Sequence, residues 1–273
     1  MAIVLDNITY TYGVGTPFEK TALKGISVTI ENGEFLGIIG HTGSGKSTFV
    51  QHLNGLLHPT TGKVTVNGVD VSEKTEEAKH MRHKVGMVFQ YPEHQLFEET
   101  IAEDIAFGPK NLGLDAEEVD RRVREAMAFV GLDYDTYAER SPFHLSGGQM
   151  RRVAIAGVVA MEPDFLVLDE PSAGLDPFGR EEIFDEIIKL HKEKDVTVIL
   201  VSHNMEDISR MANRLIVLDK GQIVLDGKPL DIFNHHRHVL QQVGVDVPPV
   251  SVLIESLRNR GLDVSNEVLT VDD

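Results

Sequence analysis

A glycine-rich segment at residues 40–48, with the sequence GHTGSGKST, constrains this chain more than any other feature. It follows a short apolar run at residues 34–39 and precedes a helical pattern. Its glycines allow the backbone to curl until successive N–H groups point inward, and the following helix adds the positive end of its dipole. A strand, an anion-binding loop and a helix in this order predict an α/β fold with a phosphate-binding site.

The loop fits the pattern G-x-x-x-x-G-K-[ST], which surrounds the phosphates of a nucleoside triphosphate. We expect Lys46 to reach the β- and γ-phosphates and the Ser47 hydroxyl to coordinate Mg²⁺. The alternative is a glycine-rich turn that binds nothing, and the flanking strand and helix argue against it. The residues predicted to bind the nucleotide here are Gly40, His41, Thr42, Gly43, Ser44, Gly45, Lys46, Ser47 and Thr48.

Apolar runs elsewhere predict the strands of a sheet. Residues 84–89, 165–168 and 196–201 have the length of strands that are buried on both faces of a mainly parallel sheet. Helical patterns at residues 116–130 and 147–161 lie between these runs, and we interpret them as a helical insertion. The fold class is therefore α/β.

The two ends of the chain differ from this central pattern. Residues 3–10 and 26–30 alternate between apolar and polar positions, which predicts half-buried strands. Residues 215–224 predict a closing hairpin. Beyond about residue 235, a histidine-rich patch, a proline pair and an amphipathic pattern at 252–258 predict a small C-terminal appendage.

Polar residues follow several of the predicted strands, where the ligand crevice of an α/β sheet lies. Asp169 is suited to hold Mg²⁺ through water, and Glu170 is suited to polarise an attacking water. We expect His203 to hydrogen-bond the γ-phosphate and the water, and Gln90 to contact the Mg²⁺ shell or the water. The alternative for the two acids is a capping role at the turn of Pro171.

Charge limits the class of partner. The chain carries 26 Lys and Arg against 43 Asp and Glu, which gives a formal charge of −17. Nucleic-acid binding depends on basic side chains that neutralise phosphates, and adhesion to anionic lipid has the same requirement. We therefore expect no nucleic-acid partner, and a membrane role only through a protein partner. No stretch of the sequence approaches the roughly 18 consecutive apolar residues that a membrane-spanning helix needs, so we also expect no membrane-spanning segment.

A second anion site is predicted at Leu145–Gln149, with the sequence LSGGQ. It combines a serine hydroxyl, two glycines and the N-terminus of a helix. The residues assigned to it as nucleotide contacts are Ser146, Gly147, Gly148 and Gln149.

With these motifs in this order, the chain resembles the ATP-binding cassette ATPases over about residues 1–230. The resemblance identifies the Walker A loop, the Q-loop glutamine, the signature, Walker B, the D-loop and the switch histidine, at Gly40–Thr48, Gln90, Leu145–Gln149, Leu166–Glu170, Ser172–Asp176 and His203, respectively. It also implies an aromatic ring that stacks on adenine. Tyr12 occupies that position, and Tyr10 remains a competitor.

Residues 89–111, together with Gln51–Leu56 after the loop, are similar to the energy-coupling factor transporters, in particular to the second of their two paralogous ATPases. This resemblance implies a cassette at residues 1–235 with a mixed, mainly parallel sheet, an N-terminal antiparallel β subdomain and a helical subdomain at about 92–160. Residues 236–273 would form an appendage that contributes to pairing of the ATPases.

The same resemblance implies a function and a set of partners. The chain would bind and hydrolyse ATP with Mg²⁺ to power uptake of vitamins or related micronutrients, with Lys46, Gln90, Glu170 and His203 as catalytic residues and Ser47, Gln90 and Asp169 near the metal. It would pair head to tail with a related but distinct ATPase and would join a transmembrane coupling subunit and a substrate-binding membrane subunit. Its location would be peripheral, at the cytoplasmic face of the cell membrane.

A docking groove for the coupling subunit is a further hypothesis. Acids at Glu93, Glu98, Glu99, Glu103 and Asp104 alternate with Leu96, Phe97, Ile101 and Ile105. An apolar groove with an acidic rim would suit a basic helix. The alternative is an ordinary amphipathic helix with a solvated acidic face.

Other functions fit the sequence less well. A cobalt or nickel uptake ATPase of the same subfamily would carry identical catalytic residues. A cassette ATPase acting on DNA or ribosomes is disfavoured by the charge and by the single cassette. A kinase or GTPase with a phosphate loop would not carry LSGGQ.

Overall fold

The computed structural model describes residues 1–265 and 268–270. They form two compact units, one built from residues 1–81 and from residue 197 onward, the other from residues 82–196. The strands are β1 Ala2–Tyr12, β2 Lys20–Glu31, β3 Phe35–Ile39, β4 Thr61–Val66, β5 Val69–Asp70, β6 Val85–Val88, β7 Phe165–Asp169, β8 Thr197–Val201, β9 Arg214–Asp219 and β10 Gln222–Gly227. The helices are α1 Lys46–Leu53, α2 Glu76–His83, α3 Ile101–Asn111, α4 Ala116–Phe129, α5 Tyr134–Tyr137, α6 Gly147–Val159, α7 Pro177–Lys194, α8 Met205–Met211, α9 Pro229–His235, α10 Arg237–Gln242 and α11 Pro249–Asn259.

The first unit opens with an antiparallel sheet in the order β2-β1-β4-β5. β1 pairs with β2 on one side and with β4 on the other, both antiparallel. The side chains of Ile3, Leu5 and Ile8 are fully buried, while Asp6 and Asn7 are exposed. The alternating sequence pattern thus predicted this half-buried strand, and the N-terminal antiparallel sheet is confirmed.

A mixed sheet follows in the same unit, in the order β10-β9-β3-β8. β3 is parallel to both β8 and β9, and β9 forms an antiparallel hairpin with β10. Every residue of β3 and β8 is buried, as expected for continuous apolar runs. The parallel register joins Ile38 to Val201, so the loop after β3 and the residues after β8 leave the sheet at the same edge.

The second unit combines a parallel strand pair with helices. β6 and β7 pair in parallel, with Val85 opposite Phe165. α4 and α6 occupy the segments predicted to be helical and end one and two residues earlier than expected. Asp115 is the N-cap of α4, and its carboxylate accepts the Glu118 N–H, so the helix start has a local cause. The predicted α/β class, with a mainly parallel sheet and helices between strands, is confirmed.

Three helices, α9, α10 and α11, follow the last strand in the part of the chain that the structure describes. The pattern at 252–258 predicted a helix, and α11 contains it but begins earlier, at Pro249, a residue suited to the first turn. Leu240 of α10 and Phe233 of α9 are fully buried, so these helices contribute to a core. A separate appendage from residue 236 stays a prediction. Within residues 1–265 and 268–270, every helix is too short or too polar to cross a membrane.

Candidate functional site

The glycine-rich loop has the backbone that its sequence predicts. Gly40, Gly43 and Gly45 have φ values of 154°, 83° and 111°. Residues with a Cβ atom rarely adopt these angles, whereas glycine adopts them without strain. A Cβ atom at Gly40 would lie 2.6 Å from Ser44 Oγ and closer still to the carbonyl oxygen of Leu218. Gly45 is the N-cap of α1, so the first N–H groups of that helix are directed toward the loop.

Polar groups converge inside this loop. The ammonium of Lys46 is buried and donates hydrogen bonds to the carbonyl oxygens of Gly40, at 2.6 Å, and His41, at 3.2 Å. The Ser44 hydroxyl is also buried, and no described residue is its hydrogen-bond partner. Ser47, next to Lys46, is exposed. A cation, a buried hydroxyl and an exposed hydroxyl around curled backbone fit a triphosphate and its Mg²⁺.

The turn between β9 and β10 is hydrogen-bonded to the phosphate loop. The N–H of Gly221 donates to the Ser44 carbonyl at 2.9 Å, and the Gly221 carbonyl accepts from the Lys24 N–H at 2.8 Å. Gly221 has φ 83°, and a Cβ there would collide with the backbone of Ala22. The turn therefore joins the phosphate loop to β2 through one glycine.

His41 faces the same turn. Its Nε2 lies 2.9 Å from Asp219 Oδ1, and its Nδ1 lies 2.7 Å from the Thr42 carbonyl oxygen. Both ring nitrogens are thus engaged with the protein. His41 was predicted to bind the nucleotide, and this placement leaves only its backbone for that purpose.

Two tyrosines stand beside the loop. Tyr12 is 42% exposed, and its hydroxyl is 3.1 Å from Thr48 Oγ1. Tyr10 is half-buried, and its ring contacts the Tyr12 ring edge to face at a centroid distance of 4.8 Å. Tyr12 is therefore the more accessible ring at the loop.

His203 follows β8 in a well-fixed turn. Ser202 Oγ accepts the Asn204 N–H, and Asn204 Oδ1 caps α8 by accepting the N–H groups of Glu206 and Asp207. His203 itself is exposed and lines a cavity of about 490 Å³ with residues of α8, α10 and α11. It leaves the sheet at the same edge as the phosphate loop, as the sequence predicted.

The predicted acids lie at the end of β7, in the second unit. Asp169 is buried and is the last residue of this fully buried strand. Glu170 follows with φ 53°, a left-handed conformation that is uncommon for a residue with a side chain and occurs often at functional sites. Its carbonyl accepts the Ala173 N–H at 3.2 Å, and Asp176 then caps α7 by accepting the Gly179 N–H.

The LSGGQ segment forms the exposed start of α6. Ser146 is the N-cap, and its hydroxyl accepts the Gln149 N–H while Gln149 Oε1 accepts the Ser146 N–H. This capping box fixes the first turn. Ser146 and Gly147 are exposed, and a Cβ at Gly147 would meet no atom within 4 Å. A ligand group can therefore approach this helix terminus closely.

Arg151 is a residue that the sequence analysis missed. It is 3% exposed, and its guanidinium donates to both carboxylate oxygens of Glu93 and to the carbonyl oxygens of Gln90, Pro171 and Ala173. It thus joins α6 to the segments after β6 and after β7. The sequence does contain one signal for the burial of Arg151. Two apolar residues lie three and four positions after it, and residues with this spacing share one face of a helix, which in α6 is the buried face.

The hypothesis of an apolar groove is wrong for most of its residues. Ile101 and Ile105 are fully buried and Leu96 nearly so, because the apolar face of α3 packs inside the second unit. Glu93 pairs with Arg151, and Asp104 accepts the N–H groups of Phe97 and Glu98. Phe97 and Phe107, by contrast, are exposed, and their rings are in edge-to-face contact at 4.8 Å.

Comparisons with known proteins agree with these features. The family model described as ABC transporter matches residues 23–173. Among curated proteins, the energy-coupling factor transporter ATP-binding protein EcfA2 of Clostridium perfringens (strain 13 / Type A) is 56% identical over 99% of this chain and 95% of its own length. EcfA2 of Clostridium tetani is 54% identical over 100% of this chain and 94% of its own length.

Solved structures give the same result. The structure of cbiO1 from Clostridium perfringens, part of the ABC transporter complex cbiONQ, aligns with TM-score 0.76 and 34% identity over 93% of this chain and 98% of that one. The ATP-binding cassette MJ0796, in a dimeric post-hydrolysis state bound to ADP and Pi, aligns with TM-score 0.74 and 31% identity over 83% of this chain and 98% of that one. The chain belongs to the ABC transporter family. It is an ATP-hydrolysing transporter ATPase.

Proposed function

We propose that this chain is the ATPase subunit that powers an energy-coupling factor transporter. The observation that carries the proposal is the presence, in one chain, of an intact phosphate loop around Lys46 and an exposed signature turn at Ser146 and Gly147. The full-length similarity to EcfA2 proteins supports the transporter type. The alternative, a cobalt or nickel uptake ATPase of the same subfamily, is not favoured because all eight relatives reported at 49–56% identity carry the EcfA2 description.

Hydrolysis requires pairing with a second, related ATPase. A nucleotide on Gly40–Thr48 would be closed by the signature of the partner, and Ser146–Gln149 of this chain would close the nucleotide of the partner. The exposed N-terminus of α6 supports this arrangement, since its dipole and the N–H groups that the capping box does not use can meet an incoming anion. The MJ0796 cassette, a relative by structure, is dimeric with ADP and Pi.

Each predicted residue has one task in phosphoryl transfer, which depends on positioning and charge stabilisation. Lys46 and the loop N–H groups neutralise charge on the phosphates, and His203 donates a hydrogen bond to the γ-phosphate. Glu170 accepts a proton from the attacking water, and the Gln90 amide contacts either that water or the Mg²⁺ shell. Ser47 and Asp169 would hold Mg²⁺, which supplies further positive charge to the phosphates when it is bound.

The base is held by Tyr12 rather than Tyr10. The ring of Tyr12 is exposed beside the loop, whereas Tyr10 is half-buried and contacts both Tyr12 and His52. An exposed aromatic ring provides a stacking surface for a nucleobase.

The remaining assignments concern the complex. The chain acts at the cytoplasmic face of the membrane, where it joins a coupling subunit and a substrate-binding subunit, and the transported substrate is a vitamin or a related micronutrient. Phe97 and Phe107 are exposed next to acidic Glu98 and Glu99, and we assign this surface, the Phe97 face, to the coupling subunit.

Substitution of Glu170 tests the function. Glu170→Gln keeps the size of the side chain but removes the proton acceptor, and so ATP turnover by the assembled complex should fall by about a hundredfold or more, with ATP binding retained. Glu193→Gln, the same chemical change at an exposed position near the end of α7, is the control and should leave turnover unchanged. Parental turnover by the Glu170 variant would contradict the assignment.

A further inference from the structure

Three aromatic rings in successive edge-to-face contact, called the stack below, connect β1 to the helix that follows the phosphate loop. The Tyr12 ring contacts the Tyr10 ring at a centroid distance of 4.8 Å with the planes at 90°. The Tyr10 ring in turn contacts the His52 imidazole at 4.8 Å with the planes at 77°. Tyr12 is nevertheless an exposed residue, so part of its ring is available to a ligand.

His52 is the fixed end of this stack. Its side chain is fully buried in α1, and its Nδ1 lies 2.6 Å from the Thr48 carbonyl oxygen. Because a carbonyl can only accept, the hydrogen is on Nδ1. Nε2 is buried and has no hydrogen-bond partner among the described residues. Burial lowers the pKa of His52, so the ring is neutral and packs as an aromatic group.

Thr48 closes the stack into a cycle. Its carbonyl binds His52, and its hydroxyl is 3.1 Å from the hydroxyl of Tyr12. Tyr12 is therefore connected to α1 twice, once directly through its hydroxyl and once through Tyr10 and His52. α1 begins at Lys46, and so the same helix that carries the phosphate contact also orients the ring.

We propose that Tyr10 and His52 are positioning residues, which hold the Tyr12 ring in register with the phosphate loop so that one nucleotide engages both. This inference rests on the proposed nucleotide site. It adds a specific consequence: loss of the stack should weaken recognition of the base and spare recognition of the phosphates.

Binding of two ligands to the full-length chain tests the proposal. ATP carries a base, and inorganic tripolyphosphate does not. Tyr10→Leu should raise the Kd for ATP about three- to tenfold, the range expected for loss of one aromatic contact, and should change the Kd for tripolyphosphate less than twofold. Tyr10→Phe keeps the ring and should bind ATP like the parent. His52→Leu should behave like Tyr10→Leu.

Two controls separate positioning from general damage. Tyr134→Leu removes a half-buried tyrosine from the second unit and should leave both Kd values unchanged. In a Tyr12→Leu background, Tyr10→Leu should not raise the Kd for ATP any further, because the ring that Tyr10 positions is gone.

If His52→Leu does not fold, the Tyr10 variants alone test the proposal. Equal weakening of ATP and tripolyphosphate, an unchanged ATP Kd, or full additivity with Tyr12→Leu would overturn the proposal. If the parent protein binds neither ATP nor tripolyphosphate, that result would instead contradict the nucleotide site itself.

Discussion

His41 Nε2 lies 2.9 Å from Asp219 Oδ1, so the second residue of the phosphate loop is bound to the last residue of β9. The pair is partly buried, with side-chain exposures of 36% and 18%. Asp219 also lies 3.8 Å from the ammonium of Lys220, whose side chain is 79% exposed. The Asp219 carboxylate thus has two partners: His41 in the phosphate loop, which is partly buried, and the neighbouring Lys220, which is exposed.

Asp219→Ala should weaken ATP binding, because the loop loses a side-chain anchor. A hydrogen bond of this kind contributes about 0.5–1.5 kcal/mol, and we expect the Kd for ATP to rise about two- to tenfold. Lys220→Ala is the matched control and should change the Kd very little, since exposed ion pairs contribute little. Equal effects of the two substitutions in a titration with ATP would contradict the role of the His41–Asp219 pair.

Arg151→Ala should destabilise the protein strongly. It leaves Glu93 and several carbonyl oxygens without their donor in a buried site, a change that costs about 3–5 kcal/mol. Arg152→Ala, one residue further along α6, removes an ion pair with Glu182 that is more exposed, and should cost about 1 kcal/mol or less. Urea denaturation of the two variants measures the difference. Similar urea midpoints for the two variants would mean that the buried hydrogen bonds of Arg151 do not stabilise the protein more than the exposed ion pair of Arg152.

Charge reversal should detach the chain from its membrane partner. Glu98→Lys with Glu99→Lys changes the acidic border of the Phe97 face, so a basic partner should be repelled and co-purify at a reduced level, with ATP binding unchanged. The control is Glu117→Lys with Glu193→Lys, which makes the same change in charge at exposed positions elsewhere in the second unit. Unchanged recovery of the coupling subunit with the first pair would argue against this docking surface.

Acid should remove a stabilising contribution from Glu118. Hydrogen bonds from Arg121 and Arg122 lower the pKa of Glu118 from its ordinary 4.5 to about 2. A depressed pKa in the folded state stabilises the protein above the unfolded pKa, and this stabilisation is lost as the pH falls toward 2. Glu118→Gln should therefore lower the urea midpoint at pH 7 and make progressively less difference between pH 5 and pH 2. A difference that does not depend on pH would contradict this assignment.

The backbone of the phosphate loop was predictable because its requirement is local. Gly40, Gly43 and Gly45 adopt positive φ angles, and only glycine adopts these without strain. The position of Asp169 was predictable for a related reason: a continuous apolar run followed by acids marks the end of a buried strand.

Other features depend on contacts that the sequence does not mark. Arg151 is held largely by carbonyl oxygens, which every residue possesses, so no pattern identifies its partners. The apolar positions of α3 were recognised, but the pattern did not reveal that Ile101 and Ile105 face the interior rather than a partner. In the same way, the sequence included His41 in the loop without indicating that its ring binds Asp219.

The Gly221 turn has a consequence for engineering. Tips of β-hairpins are usually the places where a tag, a loop graft or a permuted terminus does least harm. Here the tip donates to Ser44, accepts from Lys24 and has no room for a side chain against Ala22. Extra residues at 220–221 would therefore loosen the phosphate loop, and affinity tags belong elsewhere on this molecule.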